Sequence, residues 1–350
     1  MLNASAASAA GIVFAEPLRA AAPPPTEVTS ALVEAARKEG KVSFYTALEL
    51  TTAERLSRTF EAKYPGIAVR VERSGAERIF QRIAQEQGSG IHAVDVANST
   101  DPAHYLDWKK HGWLAPYVPD DVAKHFPADQ IDPDGMHATS CAWTEAIGYN
   151  TNLVKVGEQP KSFQDFIDPK WKGKIAWSST VIGAMLFITG VRNFMGEEKA
   201  LAYLRELAKQ DIAPIASANR VVVDRVMAGE YALCLDSFLH HPIISARKGA
   251  PVAPLPLDPV LTVVSSVMLP KAPPHPHAAV LFIDYLLSKD GQEKLQGADY
   301  FPAHPAVPAS ADLDKIVPQK IALHENFISP AKMNADLARS RSIYQELFAK

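Results

Sequence analysis

Four stretches of the chain put a hydroxyl side chain at the end of a strand-like run and just ahead of a helix-like one: Thr46, Ser74, Ser99 with Thr100, and Ser179 with Thr180. A helix N-terminus presents unpaired N–H groups and a partial positive charge, so such loops suit carboxylate or phosphate oxygens. Taken singly, each hydroxyl is equally well explained as a helix cap. Taken together they favour a ligand, because the carboxyl ends of strands are where an open α/β sheet has its crevice. Three further residues fit the same cleft. Arg220, at a helix start, offers a two-pronged clamp for an anion, or else a solvated helix-end charge. Asp236, at a strand end, accepts hydrogen bonds from a ligand hydroxyl or amine. His240, one of an adjacent His240–His241 pair, can bond an anion or a hydroxyl.

Other chemistry finds little support. There is no GxSxG elbow, P-loop, HExxH or GxGxxG after a strand. Ser179, His240 and Asp236 do not have the spacing of a triad. Adjacent histidines diverge on a helix, so joint metal chelation by His240 and His241 is awkward. Cys141 and Cys234 lie in apolar, strand-like surroundings outside any CxxC, so they read as buried thiols, with pairing left open. Glu49 and Glu77 adjoin the presumed ligand loops. They oppose an anion, and if either faces the cleft a zwitterionic or cationic ligand gains support. Trp143 and Tyr149 read as packing.

The elements that must position these residues come as an alternation of strands and helices. A helix is predicted over Glu27–Glu39 with Thr26 as its cap, then a strand at Val42–Ala47, a helix from Thr51 to Lys63, and a strand at Ile67–Glu72. A helix over Ala76–Gln87, a strand at Val94–Ala97 and a short helix over Pro102–His111 follow. This order predicts a mostly parallel sheet flanked by helices, since each crossover is a helix. Around Cys141–Asn152 the pattern breaks for a strand, with Thr144–Asn150 read as one strand of a hinge. It restarts with a strand at Lys174–Trp177 and helices over Val181–Phe194, Glu198–Lys209 and Asn219–Met227. Strands at Tyr231–Leu235 and Thr262–Leu269, a helix over His277–Leu287 and a last helix over Asp336–Phe348 complete it.

At 350 residues the chain suits two domains, and 47% apolar residues are enough for two cores. A formal charge of −3 without a run of Lys or Arg argues against nucleic acid as a partner. Near the N-terminus, Asn3–Ala15 is small and apolar, and Leu18–Ala22 supplies small residues in a cleavage-site pattern. A basic leader is missing, so residues 1–25 read as a truncated export signal and linker. Val181–Val191 is too short to span a bilayer.

Several phrases, in this order, resemble one family: KEGKVSFYTAL at Lys38–Leu48, FEAKYPGIAVRVERSG at Phe60–Gly75, VDVANST at Val94–Thr100 and IGYNTNLV at Ile147–Val154. They continue with DPKWKGKIAWSS at Asp168–Ser179, VMAGEYAL at Val226–Leu233, DGQEKL at Asp290–Leu295 and FPAHPAV at Phe301–Val307. The chain is similar, from Ala35 to Val307, to the ferric-iron-type branch of periplasmic solute-binding proteins of ABC transporters. The resemblance implies the two-lobed type II periplasmic binding protein fold, each lobe a mostly parallel sheet flanked by helices, joined by a two-strand hinge. On that fold, residues 26–143 and 262–310 form lobe 1 and 150–257 lobe 2. Residues 144–149 and 258–261 form the hinge, and 311–350 a C-terminal helical segment.

The resemblance implies a monomer, exported to the periplasm, without cofactor or catalytic residues, that captures a small polar solute and passes it to a membrane permease. Iron-binding members use a pair of adjacent tyrosines, and the matching place here is Phe238–Leu239–His240–His241. Phenolates are the hard anionic ligands that ferric iron prefers, and imidazoles are poorer ones. No metal is therefore expected, and an organic anion, phosphorylated or carboxylated, is the favoured solute. The alternatives are iron held by non-tyrosine ligands, an α/β transferase of the same fold, and a ligand sensor without transport.

Overall fold

The computed structural model describes residues 23–298, 300–314 and 324–349. The export-signal reading falls mainly on residues 1–22, outside the described residues. The first half of the chain forms α1 (Ser30–Glu39), β1 (Lys41–Thr46), α2 (Leu50–Lys63), β2 (Ala68–Arg73), α3 (Ala76–Gly88) and β3 (Val96–Ser99). It continues with α4 (Pro102–Lys110), β4 (Leu114–Ala115), α5 (Asp120–His125) and the long strand β5 (Ala138–Asn150). Next come β6 (Ile175–Ser178), a π-helical turn (Val181–Met185), α6 (Leu186–Met195), α7 (Glu197–Leu207), β7 (Ala213–Ile215) and α8 (Asn219–Met227). They are followed by β8 (Leu233–Phe238), α9 (His240–Arg247) and β9 (Val252–Leu255). The last part holds the second long strand β10 (Val260–Pro270), α10 (Pro276–Leu287), α11 (Lys289–Gln296), β11 (Phe301–Pro302), α12 (Ala311–Asp314), β12 (Glu325–Phe327) and α13 (Pro330–Leu347).

The main path of the sheet runs β2-β1-β3-β10-β5-β8-β6-β7. Its outer strands are parallel, β2 and β3 to β1 and β7 and β8 to β6, with helices α2 and α3 crossing between the first three. The two long strands run antiparallel to their neighbours in the middle. β5 changes partners along its length. Ala138–Thr144 pairs with β10, and from Glu145 onward it pairs with β8 and β9. Both halves of the sheet are thus threaded by one strand, and the loops at their strand ends converge where that strand changes partner.

Packing follows the sequence pattern. On the β1 side, Phe282 of α10 stacks edge-on against Phe44 and Phe60, with ring centroids 5.1 and 4.9 Å apart. On the β6 side, Trp177 meets Phe348 of α13 at 4.6 Å. The buried Thr189 of α6 bonds Ser340 of α13 at 2.7 Å.

Three helix starts differ most from expectation. Thr29, not Thr26, caps α1, its Oγ1 accepting the Leu32 N–H at 3.2 Å. The Thr26 N–H is bound instead to the Val118 carbonyl at 3.0 Å, which holds the preceding segment to the domain edge. The helix expected from Val181 starts as a π turn, because Gly183 leaves helical geometry there. A Cβ at Gly183 would collide with the Ser178 carbonyl oxygen and with Asp236, so only glycine lets this turn sit so close to β6 and β8. The last helix begins six residues earlier than expected, at Pro330. Proline suits a first helical position, and Ser329 caps the end by accepting the Lys332 N–H at 3.2 Å. No described helix is long and apolar enough to cross a membrane.

Candidate functional site

A cleft of about 550 Å³ opens over the place where β5 changes partner. One wall is built from loops that follow β1, β2 and β3: Ala47 and Glu49, Arg73–Arg78, and Thr100, Asp101 and His104. The other wall comes from Thr180–Ile182 after β6 and Ala216–Val221 after β7. Trp143, Phe238, His241 and Tyr300 close the floor. All the wall segments leave the carboxyl ends of strands, as an open α/β sheet requires of its crevice.

Two helices point their N-termini at this space. α3 starts behind Ser74–Gly75 and α8 behind Ser217–Ala218, and neither has a side chain bonded to its first N–H groups. The π turn behind Thr180 likewise has no side-chain cap. By contrast, α4 is capped by Asp101, whose Oδ1 accepts the Ala103 N–H at 2.9 Å. Uncapped helix starts leave N–H donors free for an anion.

Three arginines line the same walls. The Arg73 Nε donates to the Leu48 carbonyl at 3.2 Å and meets no carboxylate among the described residues. Arg78, exposed on the first turn of α3, has no hydrogen-bonding or ionic partner among them. Arg220 is tied by its Nε to Asp224 at 2.9 Å, four residues along α8. Arg73 and Arg220 come from opposite walls and still bear on one group. Burial first, then His240 and the two guanidinium charges, push the His241 imidazole well below its ordinary range. That imidazole is therefore neutral at pH 7, and the walls carry both signs of charge, Arg73, Arg78 and Arg220 together with Glu49 and Glu77.

Of the nine residues singled out from sequence, Ser74, Thr100, Thr180 and Arg220 line the cleft. The other five stand behind it. Thr46 is buried, donating to the Asn98 Oδ1 at 3.1 Å and accepting the Leu48 N–H, which sets the loop carrying Glu49. Ser99 is buried against the His104 Nδ1 at 3.1 Å. The Ser179 side chain turns toward Tyr344 of α13. Asp236 is buried under the π turn, its Oδ2 accepting the Ser178 N–H at 2.6 Å, and burial pushes its carboxyl up to about 7. His240 lies beneath the floor, 4.8 Å from Trp143 and stacked 5.0 Å from Tyr300, and burial pushes it down to about 3. In the histidine pair it is His241 that lines the cleft, since successive residues on a helix point about 100° apart. Trp143 packs in the core as expected, and it also reaches the cleft floor.

Sequence alone does not single out Arg73, Arg78, His104, Ser217 or Tyr300. The two arginines had a usable signal: they bracket Ser74–Gly75–Ala76–Glu77, a helix start with an uncapped glycine. His104 joins the cleft through Glu77, its Nε2 3.3 Å from the Glu77 Oε2, and this bond holds the Glu77 carboxyl below its ordinary range. Tyr300 arrives from far along the chain, accepting the Glu49 N–H at 3.1 Å, and no local pattern announces it.

A cleft between two α/β halves, walled by strand-end loops and floored by the strand that joins them, is the architecture of a type II periplasmic binding protein. The chain belongs to the bacterial extracellular solute-binding protein family, which matches residues 23–293. Iron uptake protein A1 of Synechocystis sp. is 23% identical over 322 residues, covering 88% of this chain and 87% of its own. Two solved structures share the fold. Iron-bound HitA from Pseudomonas aeruginosa has a TM-score of 0.71 at 20% identity, covering 88% of this chain and 99% of its own. AfuA from Actinobacillus pleuropneumoniae, with fructose-6-phosphate bound, has a TM-score of 0.75 at 20% identity, covering 89% and 99%. The chain is thus an iron-binding-protein-like member of a family of solute-binding proteins that work with ABC permeases.

Proposed function

We propose that the chain is the periplasmic capture subunit of an ABC importer and that its solute is a small organic anion, phosphorylated or carboxylated. The observation that carries this reading is that Arg73 and Arg220 line opposite walls of one cleft, between helix starts that have no cap of their own. An anion between the walls gains charge-assisted bonds from both sides only when the cleft is shut. Ligand contacts shared by two lobes favour the closed state, with residues 144–149 and 258–261 as the hinge, and the closed shape is what the permease recognises. Ser74, Thr180 and Arg220 touch the solute in this reading. Thr46, Ser99, Ser179, Asp236 and His240 hold the loops and floor that place them.

The ferric-ion reading draws on what the relatives are named for. Ferric iron takes hard anionic oxygen ligands. This cleft offers Glu49, Glu77, Asp101, whose Oδ1 is already taken up in capping α4, and a single phenol, Tyr300, whose burial pushes its ionisation up. The test is a thermal-shift panel of sugar phosphates, phosphonates, phosphate, di- and tricarboxylates, amino acids and ferric citrate. A ligand at a hundred times its Kd stabilises by about 2.7 kcal/mol, a shift of a few degrees. Anions raise the melting temperature, and Arg73→Ala or Arg220→Ala removes the rise. A shift with ferric citrate alone, accompanied by a visible phenolate-to-iron band, contradicts the reading.

A further inference from the structure

The walls of the cleft carry carboxylates as well as arginines. On the wall that follows β1 the Glu49 side chain is 31% exposed, and the one basic side-chain nitrogen within 4 Å of its carboxylate among the described residues is the His241 Nε2 at 3.8 Å. That histidine is buried and neutral, and its Nδ1 has no hydrogen-bond partner. Glu49 therefore faces the cleft with no Lys or Arg within 4 Å of it among the described residues, in a site that the rings of Trp143, Phe238 and Tyr300 also line. Trp143 packs 5.2 Å from Phe238 and 5.0 Å from Tyr300. An unpaired carboxylate there repels a purely anionic solute placed over it. A carboxylate and aromatic faces together are the partners an ammonium group takes.

Building on the anion reading of the arginine walls, we infer that the solute is a zwitterion: an organic anion that also carries a primary amine, the amine seated on Glu49 against the aromatic floor. The two ends divide the cleft. Arg73 and Arg220 take the phosphonate, phosphate or carboxylate group, and Glu49 takes the ammonium. A hydroxyl in the amine's place leaves the Glu49 charge unmatched.

Isothermal titration of the purified chain with matched alkyl-, hydroxyalkyl- and aminoalkylphosphonates tests this. The aminoalkyl compound binds about tenfold to a hundredfold more tightly than either counterpart, the scale of one hydrogen bond to a charged group. Glu49→Gln erases that preference. The comparison within the unaltered chain stands even if the variant does not fold. Equal binding of all three compounds overturns the zwitterion and leaves the anion site intact, as does a preference for the amine that persists in Glu49→Gln. Failure of every phosphonate and carboxylate to bind overturns the anion site and the zwitterion with it.

Discussion

Asp236→Asn removes one oxygen's charge from beneath the cleft and keeps the shape. The carboxyl is fully buried and accepts the Ser178 N–H at 2.6 Å, a bond the amide oxygen of Asn preserves. Burial pushes this acid from 3.8 up to about 7, so the folded chain keeps a proton that the unfolded chain has already released. The sign follows. Its stabilising contribution is complete below about pH 4, declines as pH rises toward 7, and is flat above. At 1.36 kcal/mol per tenfold, the whole decline is about 4 kcal/mol. His240 and His241 act the other way, since burial pushes both down and protonating the unfolded chain below about pH 6.5 costs stability. These contributions are common to both proteins and cancel in a difference. The assay is urea unfolding, followed by tryptophan fluorescence, of both proteins from pH 4 to 8. The variant gains on the parent steadily up to pH 7 and no further. A difference independent of pH across that range would mean that Asp236 ionises normally when folded, and the account of the buried floor would fail.

Three further substitutions test separate links. Gly183→Ala forces a methyl group onto the Ser178 carbonyl and Asp236, and costs about 1–3 kcal/mol of stability by thermal unfolding, with weakened anion binding because Thr180 is displaced. Ser340→Ala removes a buried hydroxyl from the Thr189 pair that fixes α13 to α6, and lowers stability by about 1 kcal/mol, since Thr189 keeps its bond to the Met185 carbonyl at 2.8 Å. Arg220→Ala leaves the unliganded melting temperature almost unchanged, because its pair with Asp224 is partly exposed, lies within one helix and is worth less than about 1 kcal/mol, and the whole effect falls on affinity measured by titration.

The alternation of strands and helices was legible because amphipathic periods and Gly and Pro stops report local geometry directly. The helix expected over Asn219–Met227 is found with those bounds, and the strand around Thr144 is the one that joins the two halves of the sheet. The break at Gly183 was not legible, since its cause is the close approach of Ser178 and Asp236, a contact between separate strands. The site was legible in its chemistry more than in its membership. Hydroxyls at strand ends marked the right loops, yet Thr46 and Ser99 turn inward to bond Asn98 and His104. A hydroxyl at a strand end points into a cleft or into the core depending on side-chain direction, which depends on where each strand stops. Those stops shifted by one to three residues at β3, β6 and β8. The histidine pair illustrates the same limit: a one-residue difference in helix phase decides that His241 lines the cleft and His240 does not.

The central claim, closure of two lobes on an organic anion, is tested most directly by small-angle X-ray scattering of the chain during an anion titration, repeated with Arg73→Ala and Arg220→Ala. A saturable decrease in the radius of gyration that follows anion binding, and that either arginine variant abolishes, is the predicted result. Saturable binding with no change in shape, or compaction that ferric ion produces and organic anions do not, contradicts it.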